Sequence, residues 1–327
     1  MKEKEEEEHK VRINHKWSSC VKDPKKLWHL INWKGKIPED NKKGLTYDVI
    51  YKFFTKIFQS TKTKGSPTLS KIEKEIEKYR LCHPTTDRNV SISELNHACV
   101  NMGSGISLDG LPPEITKVLP ENLKEIIRHL FTNIFKGNYP KTWGNQLLFP
   151  ITKKGHTKKD PKLRGIAIGP MLSRLYDHIM NERFCEWYTP NMQQAGYRKG
   201  QGCIFQLFAL FLLIDNSSRN GKEVFIGLLD FEKAFDYTNR ASLLQDMMKN
   251  GMGELFIRAV AKMYERTAYV PKLSDNYIGH PIESHHGVTQ GRKTSAKFFS
   301  FYIYQTCVKV LIISTYMIIW THTSYFN

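Results

Sequence analysis

From Ser91 onward the apolar residues recur in periods that assign one element after another. Ser91-Ile-Ser-Glu94 has the spacing of a capping box and opens a short helix. Gly103 to Gly110 reads as a loop, followed by Pro112-Pro113. Over 116–136, Val118, Leu119, Leu123, Ile126, Ile127, Leu130, Phe131, Ile134 and Phe135 predict a helix with one apolar face. Leu147 to Ile151 and Leu163 to Ile168 read as short strands, the second with Gly165 inside it. Leu172, Leu175, Ile179, Phe184 and Trp187 mark a further amphipathic helix. Cys203 to Ile214 is apolar on nearly all sides, which predicts a buried helix. Val224 to Leu229 is a continuous apolar run ending in Asp230, the pattern of a central strand. Two helices follow, near 240–250 and 253–265, and then Ala268–Leu273 and Tyr277–Ile282 flank Ser274-Asp275-Asn276 as a hairpin. Strands and helices mixed in this order predict an α/β (α+β) fold.

Outside this stretch the pattern is weaker. Residues 1–16 are charged and read as a solvated lead-in. Residues 17–60 hold Trp17, Trp28, Trp33 and the run Tyr51-Lys52-Phe53-Phe54, enough for a small packed unit. Residues 61–68 read as a linker. At the other end, Val308 to Trp320 is apolar for about 13 residues, short of the roughly 20 that span a bilayer. Membrane association is therefore the minority expectation. The division is a lead-in and linker region over 1–90, a main unit over 91–304 and an aberrant apolar tail over 305–327.

Charge narrows the partner. Lys and Arg number 49 against 32 Asp and Glu, a net +17 over 327 residues, which favours an anionic partner: nucleic acid or an acidic membrane surface. The 15 Tyr and 18 Phe argue against disorder throughout. The six cysteines have no zinc-knuckle spacing, and no basic-then-apolar leader opens the chain. The expectation is an intracellular protein with free thiols, nuclear or cytoplasmic and not secreted.

Three strings carry candidate chemistry. Leu229-Asp230-Phe231-Glu232-Lys233-Ala234-Phe235-Asp236 follows the apolar run, so that Asp230 either caps a turn or presents a carboxylate at a sheet edge. Phe235 reads as ordinary core or as a pocket wall, and Asp236 as a turn or salt-bridge residue. Between the two predicted strands near 147–168, Lys153, Lys154, Lys158, Lys159, Lys162 and Arg164 gather on one loop. Such a loop is either simply solvated or suited to a triphosphate, Lys giving point charge and Arg a forked donor. In Gly287-Val288-Thr289-Gln290-Gly291, glycines around a Gln give a bend that backbone or ligand can approach closely.

Taken together and in order, these strings resemble the reverse transcriptases of non-LTR (LINE-type) retrotransposons. Asp-Phe-Glu-Lys-Ala-Phe-Asp resembles the first catalytic motif. Pro150-Ile151-Thr152-Lys153-Lys154-Gly155 and Leu163-Arg164-Gly165-Ile166-Ala167-Ile168 resemble the fingers, with Gly165 where the family commonly has Pro. Gly-Val-Thr-Gln-Gly resembles the second palm motif, about 60 residues after Asp230. Weaker matches are Asp23 to Trp28, Ser104 to Pro112 and Gln194 to Gly200. The resemblance implies right-hand polymerase architecture, here fingers and a partial palm with the thumb absent. It also implies an RNA-directed DNA polymerase acting on an RNA template, a DNA primer and deoxynucleoside triphosphates. Asp230 would hold Mg²⁺, two ions in a complete enzyme. Arg164, with Lys153 or Lys154 assisting, would contact the nucleotide phosphates. Phe235 would exclude a ribose 2′ hydroxyl, and Gln290 and Gly291 would shape the pocket. The family's third palm motif, an aromatic, any residue, then Asp-Asp, does not occur, and no Asp or Glu follows Glu283. The expectation is therefore a truncated chain with an incomplete metal site and no polymerase activity. The alternative is a non-catalytic nucleic-acid-binding remnant.

Overall fold

The computed structural model describes residues 45–60, 69–153, 157, 161–191, 194–198, 200–226, 230–274 and 277–305. They fall into two compact units, one containing Pro190–Asp230 and the other the described parts of Asp40–Thr189 and Phe231–Ile312. The expected lead-in (1–16), the three early tryptophans, the linker (61–68) and the apolar tail from 306 lie outside the described residues. Among the described residues no helix is long and apolar enough to cross a membrane.

The larger unit is α+β, with a small sheet covered by one helix and further helices packed on one another. Its helices are α1 (Tyr47–Phe58), α2 (Leu69–Lys78), α3 (Ile92–Val100), α4 (Glu121–Phe135) and α5 (Met171–Trp187). The second, smaller unit holds α6 (Cys203–Arg219), and the larger unit resumes with α7 (Arg240–Lys249), α8 (Glu254–Glu265) and α9 (Lys293–Ile303). Its strands are β1 (Asn145–Thr152), β2 (Leu163–Ile168), β3 (Ala268–Ser274), β4 (Tyr277–Ile278) and β5 (Ile282–Glu283). The sheet order is β2-β1-β3-β4, with β5 also on β3. β1 runs antiparallel to β2 and parallel to β3. The aromatic run 51–54 is thus part of α1, whose Ile50, Phe54, Ile57 and Phe58 cover the sheet at Leu148, Leu163, Ala167, Tyr269 and Ile282.

Several expectations change. The single helix over 116–136 is a 3₁₀ turn at Pro113–Val118 and then α4, because Pro120 cannot continue a helix from its N-terminal side. Only Ile127, Phe131, Ile134 and Phe135 of α4 are buried, while Leu123, Ile126 and Leu130 are exposed. The helix expected to be buried at Cys203–Ile214 extends to Arg219 and has no buried described residue. All-round apolar character marks a helix that needs cover, and it does not supply the cover. Residues 224–226 are not a strand, and 227–229 lie outside the described residues. The hairpin expected after Ala268 forms, its first arm β3 pairing antiparallel with Tyr277–Ile278 and then with Ile282–Glu283, so that the second arm is two short strands.

Helix α5 is buried almost along its length although it carries Asp177, His178, Asn181 and Arg183. That is affordable because the charges are paired. Arg183, with no exposed side-chain surface, donates to both carboxylate oxygens of Glu94 (2.8 and 3.0 Å) and to the carbonyls of Thr86, Arg88 and Asn89. Burial would raise the Glu94 carboxyl, but the Arg183 guanidinium and the Ser91 amide of the capping box hold it at about 2.

Removing one partner of a buried pair strands the other. Arg183→Ala is expected to cost about 3–5 kcal/mol in urea unfolding. Since the folded value of Glu94 lies below its ordinary 4.5, its contribution is complete above that pH and is lost as pH falls towards 2. Glu94→Gln should flatten the acid limb of the stability profile in that window.

Candidate functional site

Three segments of the larger unit are linked around the β1–β2 hairpin. The first is the hairpin itself. Arg164, half-buried, pairs with Ile151 across the ladder. Beyond the last rung, the Lys153 amide donates to the Lys162 carbonyl at 2.8 Å, which holds exposed Lys153 at the hairpin mouth. Lys154, Lys158 and Lys159 lie outside the described residues. Gly165 has a local reason. A Cβ there would lie 2.6 Å from Leu148 Cδ1 and 2.9 Å from Phe54 Cε1, so the α1 aromatic occupies the space a proline ring would take.

The second segment is the turn at 232–237. Lys233 has a left-handed φ of 52°, uncommon for a residue with a Cβ, and its ammonium lies 5.2 Å from the centre of the Phe53 ring. Phe235 is buried, its ring stacked on Phe299 at 4.6 Å, so the aromatic expected to face a sugar takes part in core packing. Asp236 is half-buried. Burial pushes its carboxyl up to about 6, against the opposing pull of Lys233, Lys153 and Arg164.

The third segment is the loop 286–292. His286 Nδ1 lies 2.6 Å from the Asp236 carbonyl, the Gly287 amide donates to Thr238, and the Val288 amide donates to Phe235. Farther on, the Ala167 amide of β2 donates to the Gln290 carbonyl at 2.7 Å. Gly291 has φ 123°, and a Cβ on it would be driven into the Ala167 carbonyl oxygen. Gln290 is half-buried and Gly291 exposed, between buried Thr289 and Arg292. The loop end is fixed from below by Asp177 of α5, which accepts from the Lys293 amide (2.8 Å) and the Thr294 hydroxyl (2.5 Å) and lies 3.9 Å from Arg292. A carboxylate at the first turn of α9 also suits that helix's dipole.

Among the sequence candidates, Lys153, Arg164, Phe235, Gln290 and Gly291 therefore belong to one set of connected segments. Asp230 closes the smaller unit's described stretch, exposed and outside any helix or strand. Sequence reasoning gave Asp236 only a turn or salt-bridge role and Lys233 no role. The available signal was their place in the same string as Phe235. A left-handed lysine, however, leaves no mark in composition. The loop Gly103–Gly110 is anchored too: Arg174 donates to the carbonyls of Gly103, Ser104 and Gly105, and Asp109 accepts from the Met171 amide at 2.6 Å.

No family model matches the chain. Among curated proteins, it is 27% identical over 177 residues to a Pol polyprotein of the type-1 retrotransposable element R2 from Bradysia coprophila, covering 54% of this chain and 20% of that protein. It is 23% identical over 211 residues to the corresponding type-2 R2DM polyprotein of Drosophila melanogaster, covering 64% of this chain and 20% of that one. The chain is similar to retrotransposon Pol polyproteins. It spans about a fifth of the length of these relatives.

As for the implied Mg²⁺, no group of three or more His, Cys, Asp or Glu among the described residues could hold a metal ion. A pair of dications needs several oxygen donors. The described residues do not fit the pair.

Gly291→Ala should expose the seam. A Cβ at that φ and against the Ala167 carbonyl is expected to lower stability by about 1–3 kcal/mol and to speed hydrogen exchange at the Ala167 amide. Unchanged exchange would place the seam elsewhere. Asp236→Asn tests burial from the other direction. A carboxyl raised from 3.8 to about 6 contributes stability below its ordinary value that is lost as pH rises through 6. The variant should melt higher than the wild type at pH 7.5, with the gap closing towards pH 4.

Proposed function

We propose that this chain is part of an RNA-directed DNA polymerase, a reverse transcriptase fingers and partial palm from a non-LTR retrotransposon. The observation that carries the reading is the joining of three segments in one unit. The hairpin with Lys153 and Arg164, the Phe235 turn and the Gln290-Gly291 bend are tied by backbone hydrogen bonds of 2.7–2.8 Å. These are the segments that in the sequence resemble the family's finger and palm motifs, and the similarity to retrotransposon Pol polyproteins points the same way. In this reading Arg164 and Lys153 bind the phosphates of a deoxynucleoside triphosphate, and the Gln290-Gly291 bend lines the pocket for base and template. Phe235 supports the pocket wall through Phe299, and Asp230 is the metal-binding carboxylate of the complete enzyme. Mg²⁺ would supply activation of the primer hydroxyl and charge neutralisation at the triphosphate.

The 327-residue chain by itself is expected to bind but not to polymerise, because its described donors do not make a two-cation site. That leaves the non-catalytic nucleic-acid-binding reading as the working behaviour of this chain, favoured by its net +17.

Two measurements test this. Affinity for a primed RNA template should fall linearly with log salt, with a slope reporting several phosphate contacts. Arg164→Ala should weaken deoxynucleoside triphosphate binding about tenfold or more, the scale of a lost charge-assisted hydrogen bond. Salt-independent binding, or a triphosphate affinity indifferent to Arg164, would sink the reading. Deoxynucleotide incorporation with Mg²⁺ that disappears in Asp230→Ala would refute the inactivity.

A further inference from the structure

Helix α7 opens on Arg240, a buried arginine that the proposed pocket does not use. We propose that Arg240 is a positioning residue for the base pocket, its guanidinium fixing the start of the Gly287–Gly291 bend against the Phe235 turn. The inference rests on the reading of that bend as the wall that meets base and template.

Arg240 Nε donates to the Gly287 carbonyl at 2.8 Å. Nη1 donates to the carbonyls of Ser284 (2.6 Å) and Tyr264 (3.1 Å), and Nη2 to the Ser284 hydroxyl (3.0 Å). The guanidinium carbon lies 4.8 Å from the centre of the Tyr264 ring. These acceptors are neutral, and they offset less of the desolvation of a buried cation than a carboxylate would. What the arginine adds is geometry. Its planar fork ties together the last turn of α8, the residue after β5 and the first glycine of the bend, which a lysine or an aliphatic side chain cannot do. Gly287 is held from both sides by one stretch of chain: its amide donates to the Thr238 carbonyl and its carbonyl accepts from Arg240. It has φ 82°, and a Cβ on it would lie 2.5 Å from the Asp236 carbonyl oxygen, so this peptide is confined to a narrow conformation. The residues after it are fixed in turn, Val288 by its amide bond to Phe235 and Thr289 by its hydroxyl, 3.0 Å from that of Tyr269. Loosening Gly287 frees the near end of the bend, which can then pivot on its bond to Ala167. The hairpin that carries Lys153 and Arg164 keeps its own ladder. Loss of the fork therefore acts on recognition of the base and spares recognition of the phosphates.

The test uses the full chain on a primed RNA template and compares two probes by calorimetry. One is the deoxynucleoside triphosphate complementary to the next template base, the other inorganic tripolyphosphate. Arg240→Lys keeps the charge and loses the fork. It is expected to cut the nucleotide's advantage over tripolyphosphate about tenfold, the scale of a lost hydrogen bond to a charged group, with tripolyphosphate affinity changed less than about twofold. If both probes weaken together, Arg240 serves the fold alone and the positioning role is overturned. An advantage that survives Arg240→Lys overturns it as well. If the wild type shows no advantage for the nucleotide, or Arg164→Ala leaves tripolyphosphate binding untouched, the functional reading itself fails. Where Arg240→Lys shows no cooperative melt, the wild type decides by NMR of the Arg240 Nε–H. Its exchange with solvent should slow when the nucleotide binds and stay the same with tripolyphosphate. An equal response to both probes, or none to either, overturns the proposal.

Discussion

The candidate site depends on a seam of backbone between β2 and the loop 286–292. At Gln290 the loop accepts the Ala167 amide, and at Gly291 it comes so close to the Ala167 carbonyl that no side chain fits. Loop and strand therefore act as one surface. The same loop takes hold of the Phe235–Thr238 turn through Gly287 and Val288. Without the seam, the hairpin cations and the Asp236 carboxylate would sit on separately moving pieces.

Below the seam lies a different kind of support. The loop runs into α9, and the first turn of α9 is clamped by Asp177, a buried carboxylate on a helix that is otherwise core. Arg292 adds bonds to the Tyr139 and Ser173 hydroxyls. A polar network of this sort is costly when incomplete and rigid when satisfied. Here it spans α5, α9 and the segment before β1, so that half-buried Gln290 and exposed Gly291 are presented by a stiff frame.

How much of this was legible in the sequence depended on how local each cause was. The capping box at Ser91–Glu94, the two hairpin strands and helices α5, α7 and α8 follow from short-range periodicity, and they lie within a residue or two of expectation. The glycines at 287 and 291 announced a bend, but what they accommodate, the Asp236 and Ala167 carbonyls, is set by tertiary approach. Pro120 could have divided the helix expected over 116–136, yet the apolar rhythm continued across it. The exposure of α6 was unreadable because hydrophobicity says what a helix prefers to touch and nothing about what is there.

The parallel pairing of β1 with β3 has a consequence in time. Asn145 finds its partner Ala268 more than a hundred residues later in the chain. Closing so long a span costs chain entropy before any strand contact returns it. During synthesis the β1–β2 hairpin would emerge first and wait with one edge of β1 bare, and such an edge is a template for the wrong strand. The chain's yield would then be decided by how quickly the intervening helices collapse and deliver β3 to that edge.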